Sequence, residues 1–247
     1  KSTTIKTILG LLHASAGEVR VFGRPAGHTG TLARVGYLPE ESYLYRYLTA
    51  RETLDFYARL FGLDAALRRR RTEELLRLVG LQQAANRPVG EFSKGMSRRI
   101  GLAQALINDP DLVILDEPTA GLDPVGCRQV KDLIRDLAAQ GKTVILSSHL
   151  LADVEHVCSR IAILFNGTLR AEGGVRELLV NRDLVRFTVP CADPALAGRM
   201  AAWLREQCGS EPAVDNPSMN LESFFLDVVQ RAGEGTTGAP ARGASRP

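Results

Sequence analysis

The sequence predicts an α/β fold built on a mostly parallel sheet, and three observations lead to this prediction. Residues 112–115 read Leu-Val-Ile-Leu, a continuous apolar run that is typical of a strand buried on both faces, as in a parallel sheet. Residues 143–148 form a second run of this kind. Between the two, residues 125–140 place apolar side chains at the i, i+3, i+4, i+7 spacing of an amphipathic helix. Strand-like runs separated by such a helix indicate parallel strands.

Length and composition argue against several classes of protein. The 247 residues suffice for one large domain or for one domain with an appendage. The net charge of +3 is too small to indicate a nucleic-acid partner. The four cysteines are far apart and form no CxxC pair, which argues against a disulfide or zinc framework. No apolar run approaches the roughly 18 residues that span a bilayer, so a role at a membrane would need another chain to supply the spanning part.

The first part of the chain predicts a helix followed by two short strands. Residues 2–12 follow Lys1 and read as a helix. Residues 18–23 alternate and end in glycine, the pattern of a short strand with a turn. The second strand begins at Val35 and is ended by Pro39, just before Glu40.

Two amphipathic helices are predicted next. Thr49 and Glu52 have capping-box spacing, and they open a helix whose apolar residues share one face. The second helix carries a basic run at residues 68–71, which we interpret as a solvated face rather than a lipid or nucleic-acid patch. Residues 43–47, Tyr-Leu-Tyr-Arg-Tyr, precede these helices. Exposed aromatic side chains with an arginine suit an interface, although they fit a local core equally well.

A helix N-terminus and a strand end make residues 91–123 the most informative stretch. Ser93 is placed to cap a helix, and Gly95 allows a ligand to approach the backbone closely. Such a helix N-terminus is a ready anion site, although a serine and a glycine there are more often only a cap. Asp116 and Glu117 end the buried run at the edge where ligands bind open α/β sheets. Paired carboxylates there suit a metal-bound phosphate, and the alternative is a solvated turn.

A histidine and a hairpin follow. His149 comes at the end of the second buried run, so in a parallel sheet it lies beside Asp116 and Glu117. A lone histidine in such a place is more often a cap or a structural residue. Residues 161–170 contain Asn166-Gly167 between two strand-like segments, which predicts a hairpin with a type I′ turn.

The pattern changes in the last quarter of the chain. Residues 184–189 alternate like a strand, Asp193-Pro194 opens a helix, and residues 221–228 place apolar side chains on one face of a last helix. The final residues are rich in Gly, Ala, Thr and Pro, which predicts disorder. We therefore expect a main domain over residues 1–181, a small α/β appendage over 182–231, and a disordered tail over 232–247.

The order of the central motifs resembles the nucleotide-binding domain of ABC-type ATPases. Ser93-Lys94-Gly95-Met96 opens one helix, Asp116-Glu117 ends the next strand, and Thr119 to Pro124 follows directly. The resemblance covers roughly residues 1–180. It is highly specific, because several independent motifs occur in the right order. It implies a P-loop NTPase fold of the ABC type, with a helical subdomain at about residues 41–108.

Three departures from the usual motifs narrow the resemblance. Glu40 stands where most ABC ATPases carry glutamine, Lys94 where they carry glycine, and Met96 where they carry glutamine. With these residues, the chain resembles exporters of the drug-resistance and sodium-extrusion group. The resemblance therefore implies the ATP-hydrolysing subunit of an ABC transporter that powers export through a separate transmembrane subunit. The alternative is a soluble ABC-type ATPase that acts in translation or DNA repair without a membrane partner.

The resemblance also implies cofactors, partners and a location. ATP and Mg²⁺ would be bound, two nucleotide-binding domains would form a head-to-tail dimer, and the chain would lie on the cytoplasmic face of the plasma membrane. Residues 43–47 and Glu40 would form the cleft that receives a helix of the transmembrane partner.

Roles for individual residues follow from the same resemblance. Glu117 would act as general base or water-orienting residue, and His149 would contact the γ-phosphate. Mg²⁺ would be held by Ser2, Asp116 and Glu40. The ATP-binding residues would be Lys1, Ser2, Thr3, Glu40 and Met96, together with Ser93, Gly95 and Asp123 offered by the other subunit.

The first residues suggest that the sequence is a fragment. Lys1-Ser2-Thr3 looks like the end of a phosphate-binding loop, G-x-x-x-x-G-K-[ST], without its glycines. We therefore expect on the order of 30–45 residues to precede it, as judged from ordinary strand and loop lengths.

Overall fold

The computed structural model describes residues 1–180, 194–209 and 212–214. The chain divides into two units, Lys1–Leu178 and Leu179–Pro247. In the second unit the structure describes one helix, which begins where Asp193-Pro194 predicts it. The predicted strand over 184–189, the last helix over 221–228 and the tail over 232–247 lie outside the described residues.

Helices and strands are interspersed along the described residues. In chain order the described elements are α1 (Ser2–Ile8), β1 (Arg20–Val21), β2 (Arg24–Pro25), α2 (Thr29–Leu32), β3 (Val35–Leu38), α3 (Ala50–Leu60), α4 (Ala65–Leu78), α5 (Lys94–Ala105), β4 (Leu112–Asp116), α6 (Pro124–Ala139), β5 (Thr143–Ser147), α7 (Leu151–Val157), β6 (Arg160–Phe165), β7 (Thr168–Gly174), α8 (Val175–Leu179) and α9 (Pro194–Cys208). Two short 3-10 helices, Gln82–Ala84 and Val89–Glu91, lie between α4 and α5.

A parallel sheet of β3, β4 and β5, in that order, forms the centre of the first unit. All five residues of β4 are buried, as the continuous apolar run predicts. Leu115 pairs with Leu38, and Asp116 pairs with Ser147. The carboxyl ends of the three strands therefore meet at one edge of the sheet, and the predicted parallel arrangement is confirmed.

The two faces of β4 contribute to different cores. Val113 and Leu115 belong to a large core that also contains residues of α3, α4, α5 and α6. Leu112 and Ile114 belong to a smaller core with residues of α1 and β1. Because side chains alternate across a strand, a strand between two cores needs apolar residues at consecutive positions.

Several helices begin at side-chain caps. Thr49 and Glu52 form the predicted capping box of α3. Ser93 accepts a hydrogen bond from Met96 N at 3.2 Å at the start of α5, and Asp123 accepts one from Gly126 N at 2.6 Å at the start of α6. Such caps each stabilise a protein by about 1 kcal/mol.

Glycine positions shorten two predicted elements. Helix α1 ends at Ile8 rather than at residue 12, because Gly10 adopts φ +71° and lets the chain turn. A Cβ on Gly10 would lie 2.4 Å from Gly27 Cα, so only glycine fits there. The strand predicted over residues 18–23 is shorter too, since Phe22 and Gly23 both have positive φ and form the turn between β1 and β2. The turn at Asn166-Gly167, between β6 and β7, has positive φ at both residues, as predicted for type I′.

The basic run is only partly a solvated face. Arg68 Nε donates to Asp55 Oδ1 at 2.9 Å, which joins α4 to α3. Arg71 Nη2 donates to Leu106 O at 2.8 Å, near the end of α5. Two of its four arginines thus stabilise the helix packing, while Arg69 and Arg70 face solvent. Within the described ranges, no helix combines the length and the apolar character that crossing a membrane requires.

Candidate active site at the carboxyl edge of the sheet

Glu117 lies at the centre of the candidate site, directly after β4. Its backbone has φ +52°, a left-handed conformation that costs a residue with a side chain about 1–3 kcal/mol. The Glu117 N–H donates to Ser147 O at 3.1 Å, so the end of β5 stabilises this conformation. The site therefore begins with a carboxylate on a strained turn at the edge where ligands bind α/β sheets.

Lys1 and His149 contact the two oxygens of the Glu117 carboxylate. Lys1 Nζ lies 3.0 Å from Oε1 and also donates to Ser148 O at 2.9 Å. His149 Nδ1 lies 2.7 Å from Oε2, and the His149 backbone N–H donates to the same oxygen at 3.2 Å. Three residues predicted from separate parts of the sequence thus meet through a single carboxylate.

These contacts decide the charge of Glu117, which is 7% exposed. Burial by itself raises the pKa of the carboxyl, but the hydrogen bonds from Lys1 and His149 outweigh it, so the pKa lies below its ordinary value. Glu117 is therefore ionised at neutral pH. An ionised carboxylate beside a lysine suits a base that acts on a water molecule or on a proton of a bound ligand.

Asp116 precedes Glu117 and is held separately. It is buried, and its Oδ1 accepts a hydrogen bond from Ser147 Oγ. Ser2 begins α1 beside Lys1 and is half-buried, so a hydroxyl and a carboxylate are the hard oxygen donors in this part of the chain. No group of three or more His, Cys, Asp and Glu side chains among the described residues is arranged to hold a metal ion. Mg²⁺ commonly uses one or two protein oxygens and completes its shell with waters and phosphates, so the donor set fits it.

The remaining predicted residues lie apart from this carboxylate. Thr3 is exposed on α1, where its carbonyl accepts from Thr7 Oγ1 at 2.9 Å. Glu40 follows β3 and is exposed. Ser93, Gly95, Met96 and Asp123 lie at the starts of α5 and α6, and no hydrogen bond found among the described residues joins them to Lys1, Glu117 or His149.

The starts of α5 and α6 are nevertheless close to each other. A Cβ on Gly121 would lie 2.5 Å from Lys94 Cε, and a Cβ on Gly95 would lie 3.5 Å from Leu122 Cδ2. Residues 121–122, which follow the Glu117 turn, therefore lie next to Lys94 and Gly95 at the start of α5.

A buried network that the sequence did not reveal joins this turn to α7. Thr119 Oγ1 donates to Asp153 Oδ2 at 2.8 Å, and Lys131 Nζ on α6 lies 3.2 Å from Asp153 Oδ1. All three residues are buried. Helix α7 begins soon after His149, so the network fixes the turn after Glu117 relative to the helix that follows His149. Helix α7 carries two acids, Asp153 and Glu155, and its sequence does not show which of them is buried.

Arg98 is a further buried residue that sequence reasoning missed. It lies on α5, is 6% exposed, and donates to backbone carbonyls after both β3 and β4. Its sequence position, between Ser97 and Arg99, looks like that of a surface residue.

An exposed aromatic segment lies between Glu40 and α3. Tyr43 is 84% exposed and Tyr47 is 94% exposed, whereas Leu44 packs against the large core. Tyr45 is also exposed and makes an edge-to-face contact with Phe56, with 5.4 Å between ring centroids. A small cavity of about 200 Å³ adjoins the segment and is lined by Ser42, Leu44, Arg46, Val89, Gly90, Phe92 and Ser97.

Sequence comparisons find relatives over most of this chain. A family model described as ABC transporter matches residues 1–120. An ABC transporter ATP-binding protein of Synechocystis sp. is 44% identical over 209 residues, which cover 84% of this chain and 59% of that protein. The Nod factor export ATP-binding protein I of Burkholderia pseudomallei is 41% identical, with 94% of this chain and 84% of that protein covered. The match to a relative from Nostoc sp. covers 55% of that protein. The chain therefore spans less than two thirds of the length of the Synechocystis and Nostoc relatives.

Comparison of structures leads to the same group of proteins. A dimeric ATP-binding cassette in a post-hydrolysis state, bound to ADP and Pi, superposes with a TM-score of 0.64 and 26% sequence identity. The superposition covers 71% of this chain and 80% of the other.

Proposed function

Because this chain belongs to the ABC transporter family of ATP-binding proteins, we propose that it binds and hydrolyses ATP to power export through a separate transmembrane subunit. The same comparisons confirm the predicted α/β fold of the P-loop NTPase type. The observation that carries the proposal is the ionised Glu117 carboxylate, held between Lys1 and His149 at the carboxyl edge of the parallel sheet. Export is supported by the relative whose name describes it as a Nod factor export protein.

Glu117 is the proposed base. Hydrolysis requires a water molecule to be oriented and to lose a proton as it attacks the γ-phosphate. The lowered pKa of Glu117 keeps its carboxylate ionised at neutral pH, so it can accept a hydrogen bond from the attacking water and orient it. His149 donates from Nδ1 to Oε2, which fixes the direction of the carboxylate and leaves Nε2 as the ring nitrogen that can reach the phosphate.

Lys1 is the proposed phosphate ligand. Its ammonium group has two acceptors, Glu117 Oε1 and Ser148 O. A phosphate that binds Lys1 replaces one of these acceptors, and replacement of Oε1 frees that oxygen for the attacking water. Lys1 therefore links phosphate binding to the availability of the base, since one cation cannot neutralise both groups fully.

Mg²⁺ would be held by the Ser2 hydroxyl and, through water, by Asp116 and Glu40, and when bound it would offset charge on the phosphates. The hydrogen bond from Ser147 Oγ orients the Asp116 carboxylate for this role. Glu40 adds an exposed negative charge at the end of β3. These assignments use oxygen donors only, as Mg²⁺ prefers.

A second subunit would complete the site. Ser93, Gly95 and Asp123 lie at the starts of α5 and α6, and no hydrogen bond among the described residues joins them to Lys1 or Glu117 of their own chain. In a head-to-tail dimer they would contact the nucleotide held by the partner. The dimeric state of the similar ATP-binding cassette supports the dimer itself.

The exposed segment 43–47 and its cavity are the proposed docking surface for the transmembrane subunit. Aromatic side chains and arginine are enriched at protein interfaces. This arrangement would place the protein on the cytoplasmic face of the membrane. The transporter names of the relatives favour it over the soluble alternative.

The proposal is tested by purifying the protein, expressed from its complete gene, out of membranes and assaying phosphate release. We expect a multi-span membrane protein to co-purify and ATP to be hydrolysed. Turnover in a preparation that contains ribosomes or DNA, and no membrane protein, would support the soluble alternative instead.

A further inference from the structure

The Arg98 guanidinium is bound entirely by backbone carbonyls. Its Nη1 donates to Pro39 O at 2.5 Å and to Glu40 O at 2.9 Å. Its Nη2 donates to Glu117 O at 2.7 Å and also to Asp116 O. Its Nε donates to Pro118 O at 3.4 Å. A guanidinium has five N–H donors, so its whole hydrogen-bonding capacity is used.

A buried cation destabilises a protein unless hydrogen bonds and nearby negative charges compensate for its lost hydration. Arg98 is 6% exposed and makes no direct contact with a carboxylate among its hydrogen bonds. Burial lowers its pKa, while the nearby charges of Asp116, Glu40 and Glu117 favour the charged form. The rigid fork of the guanidinium matches carbonyls on two different segments, which a lysine ammonium group cannot do.

The carbonyls that Arg98 contacts belong to two segments that leave neighbouring strands. Pro39 and Glu40 follow β3, and residues 116–118 close β4. The strands pair up to Leu38 and Leu115, and beyond these residues Arg98 joins the two segments. The orientation of one segment therefore depends on the other through a single side chain.

The strained backbone of Glu117 is held by hydrogen bonds at both its N–H and its carbonyl. The Glu117 N–H donates to Ser147 O, and its carbonyl accepts from Arg98. A left-handed glutamate persists only where its surroundings over-determine it. Removal of Arg98 would release one of these two restraints and allow the carboxylate to turn away from Lys1 and His149.

We propose that Arg98 is a positioning residue that holds Glu117 in its active orientation and couples that orientation to the segment at Pro39–Glu40. The inference deepens, and rests on, the proposed ATP hydrolysis. Glu40 precedes the exposed segment 43–47 by only a few residues. A partner that moves this segment would shift two of the carbonyls bound by Arg98, and with them the Glu117 turn.

The test compares Arg98→Lys and Arg98→Gln with Arg99→Lys in the transporter complex. Arg99 is the matched control, because it lies next to Arg98 on α5 and donates to Val79 O at 3.1 Å, away from the site. We expect Arg98→Lys to lower kcat by at least about 10-fold, and Arg98→Gln by about 100-fold, since small misplacement of a catalytic group has effects of this size. The ATP dissociation constant and KM should change less than about twofold, and the control should match the wild type.

A double variant separates positioning from a general structural role. With Glu117→Gln already present, Arg98→Lys should lower the single-turnover rate by less than about threefold, because the two residues act as a unit. A full 10-fold further loss, or a raised KM with unchanged kcat, would overturn the inference.

Other outcomes are equally decisive. If both Arg98 variants lose cooperative thermal unfolding, Arg98 is a folding residue and the inference fails. If the wild type is active and Arg98→Lys matches it, the inference fails while the proposed function stands. If the wild type has no ATP turnover, the proposed function fails, and the inference with it.

Discussion

At the residue scale, Glu117 combines three properties that rarely occur together. It is buried, it is ionised, and its backbone is strained. Each property costs free energy, and the contacts with Lys1, His149 and Ser147 compensate for them locally. Strain of this kind accumulates at functional sites, where the geometry of one group matters more than stability.

The first prediction concerns this carboxylate. Glu117→Gln should still bind ATP but should lower turnover by at least about 100-fold, because it removes the proposed base and largely keeps the shape of the site. Phosphate release and nucleotide affinity, measured on the same preparation, check both parts. Glu91→Gln is the control, since Glu91 is an exposed glutamate paired only loosely with Arg87 at 3.6 Å. Turnover of Glu117→Gln within about threefold of wild type would remove Glu117 from the mechanism.

Sequence reasoning predicted some residues of the candidate site and missed others for a physical reason. Asp116 and Glu117 could be predicted because an apolar run leads directly to them. Arg98 and Asp153 could not, because their burial depends on contacts with segments far away in the chain. Arg98 has a basic neighbour and looks solvated, yet the carbonyls that bury it are 18 to 59 positions away.

At the element scale, α7 is fixed to the turn after β4 by the buried network of Thr119, Lys131 and Asp153. Asp153→Ala removes the acceptor of Thr119 and an acidic partner of Lys131. We expect it to lower the free energy of unfolding by about 2–4 kcal/mol, the range for a disrupted buried polar network. Asp153→Asn keeps an oxygen for Thr119 and should lose less.

Urea unfolding of both variants measures this cost, and a double variant locates its source. In a Thr119→Val background, Asp153→Ala should be less destabilising than in the wild type, because the hydroxyl that it would leave unpaired is already absent. Simple additivity of the two changes would contradict the network.

A second element-scale prediction concerns pH and the packing of α3 on α4. Burial raises the pKa of Asp55, but hydrogen bonds from Arg68 and Arg59 outweigh it, and the pKa lies below its ordinary value of 3.8. A lowered folded-state pKa gives a stabilisation that is complete above the unfolded pKa and is lost as pH falls through the folded pKa. The stability difference between wild type and Asp55→Asn should therefore be constant at neutral pH and should shrink below about pH 4.

Thermal unfolding from pH 3 to pH 7 at low salt tests this, with arginine variants as the comparison. Arg68→Gln should cost more than Arg59→Gln, because Arg68 joins two helices and is 21% exposed, whereas Arg59 lies on the same helix as Asp55 and is 65% exposed. The expected cost is about 1 kcal/mol or less, as for other partly exposed ion pairs. A stability difference between wild type and Asp55→Asn that grows toward low pH would contradict the lowered pKa of Asp55.

Element types were easier to predict than element lengths. The apolar run of β4, the capping box of α3 and the Asn166-Gly167 turn each depend on residues within a few positions, so local sequence determines them. The end of α1 depends on Gly10 packing against Gly27, a contact between separate segments. Local patterns do not encode such contacts, which is why that helix was predicted too long.

At the scale of the first unit, the carboxyl edge of the sheet and the exposed segment 43–47 are connected through Arg98 and Glu40. The connection gives a physical path by which a partner docked at the segment would influence Glu117. The segment itself makes none of the described contacts to the Glu117 carboxylate, so substitutions of its exposed side chains should impair docking and leave ATP hydrolysis by the separated protein intact.

The last prediction uses this separation. Tyr45→Glu combined with Tyr47→Glu introduces two negative charges on the proposed docking surface, where both rings are exposed. We expect co-purification of the transmembrane subunit to fall by at least about 10-fold, because like charges and lost aromatic contacts weaken an interface strongly. The ATPase activity of the separated protein should stay within about twofold of wild type. Leu60→Glu is the matched control, because it adds a charge at an apolar residue of α3 that is 66% exposed and lies outside the segment. Equal loss of co-purification in the control would assign the effect to charge in general, and unchanged assembly of the tyrosine variant would place the docking surface elsewhere.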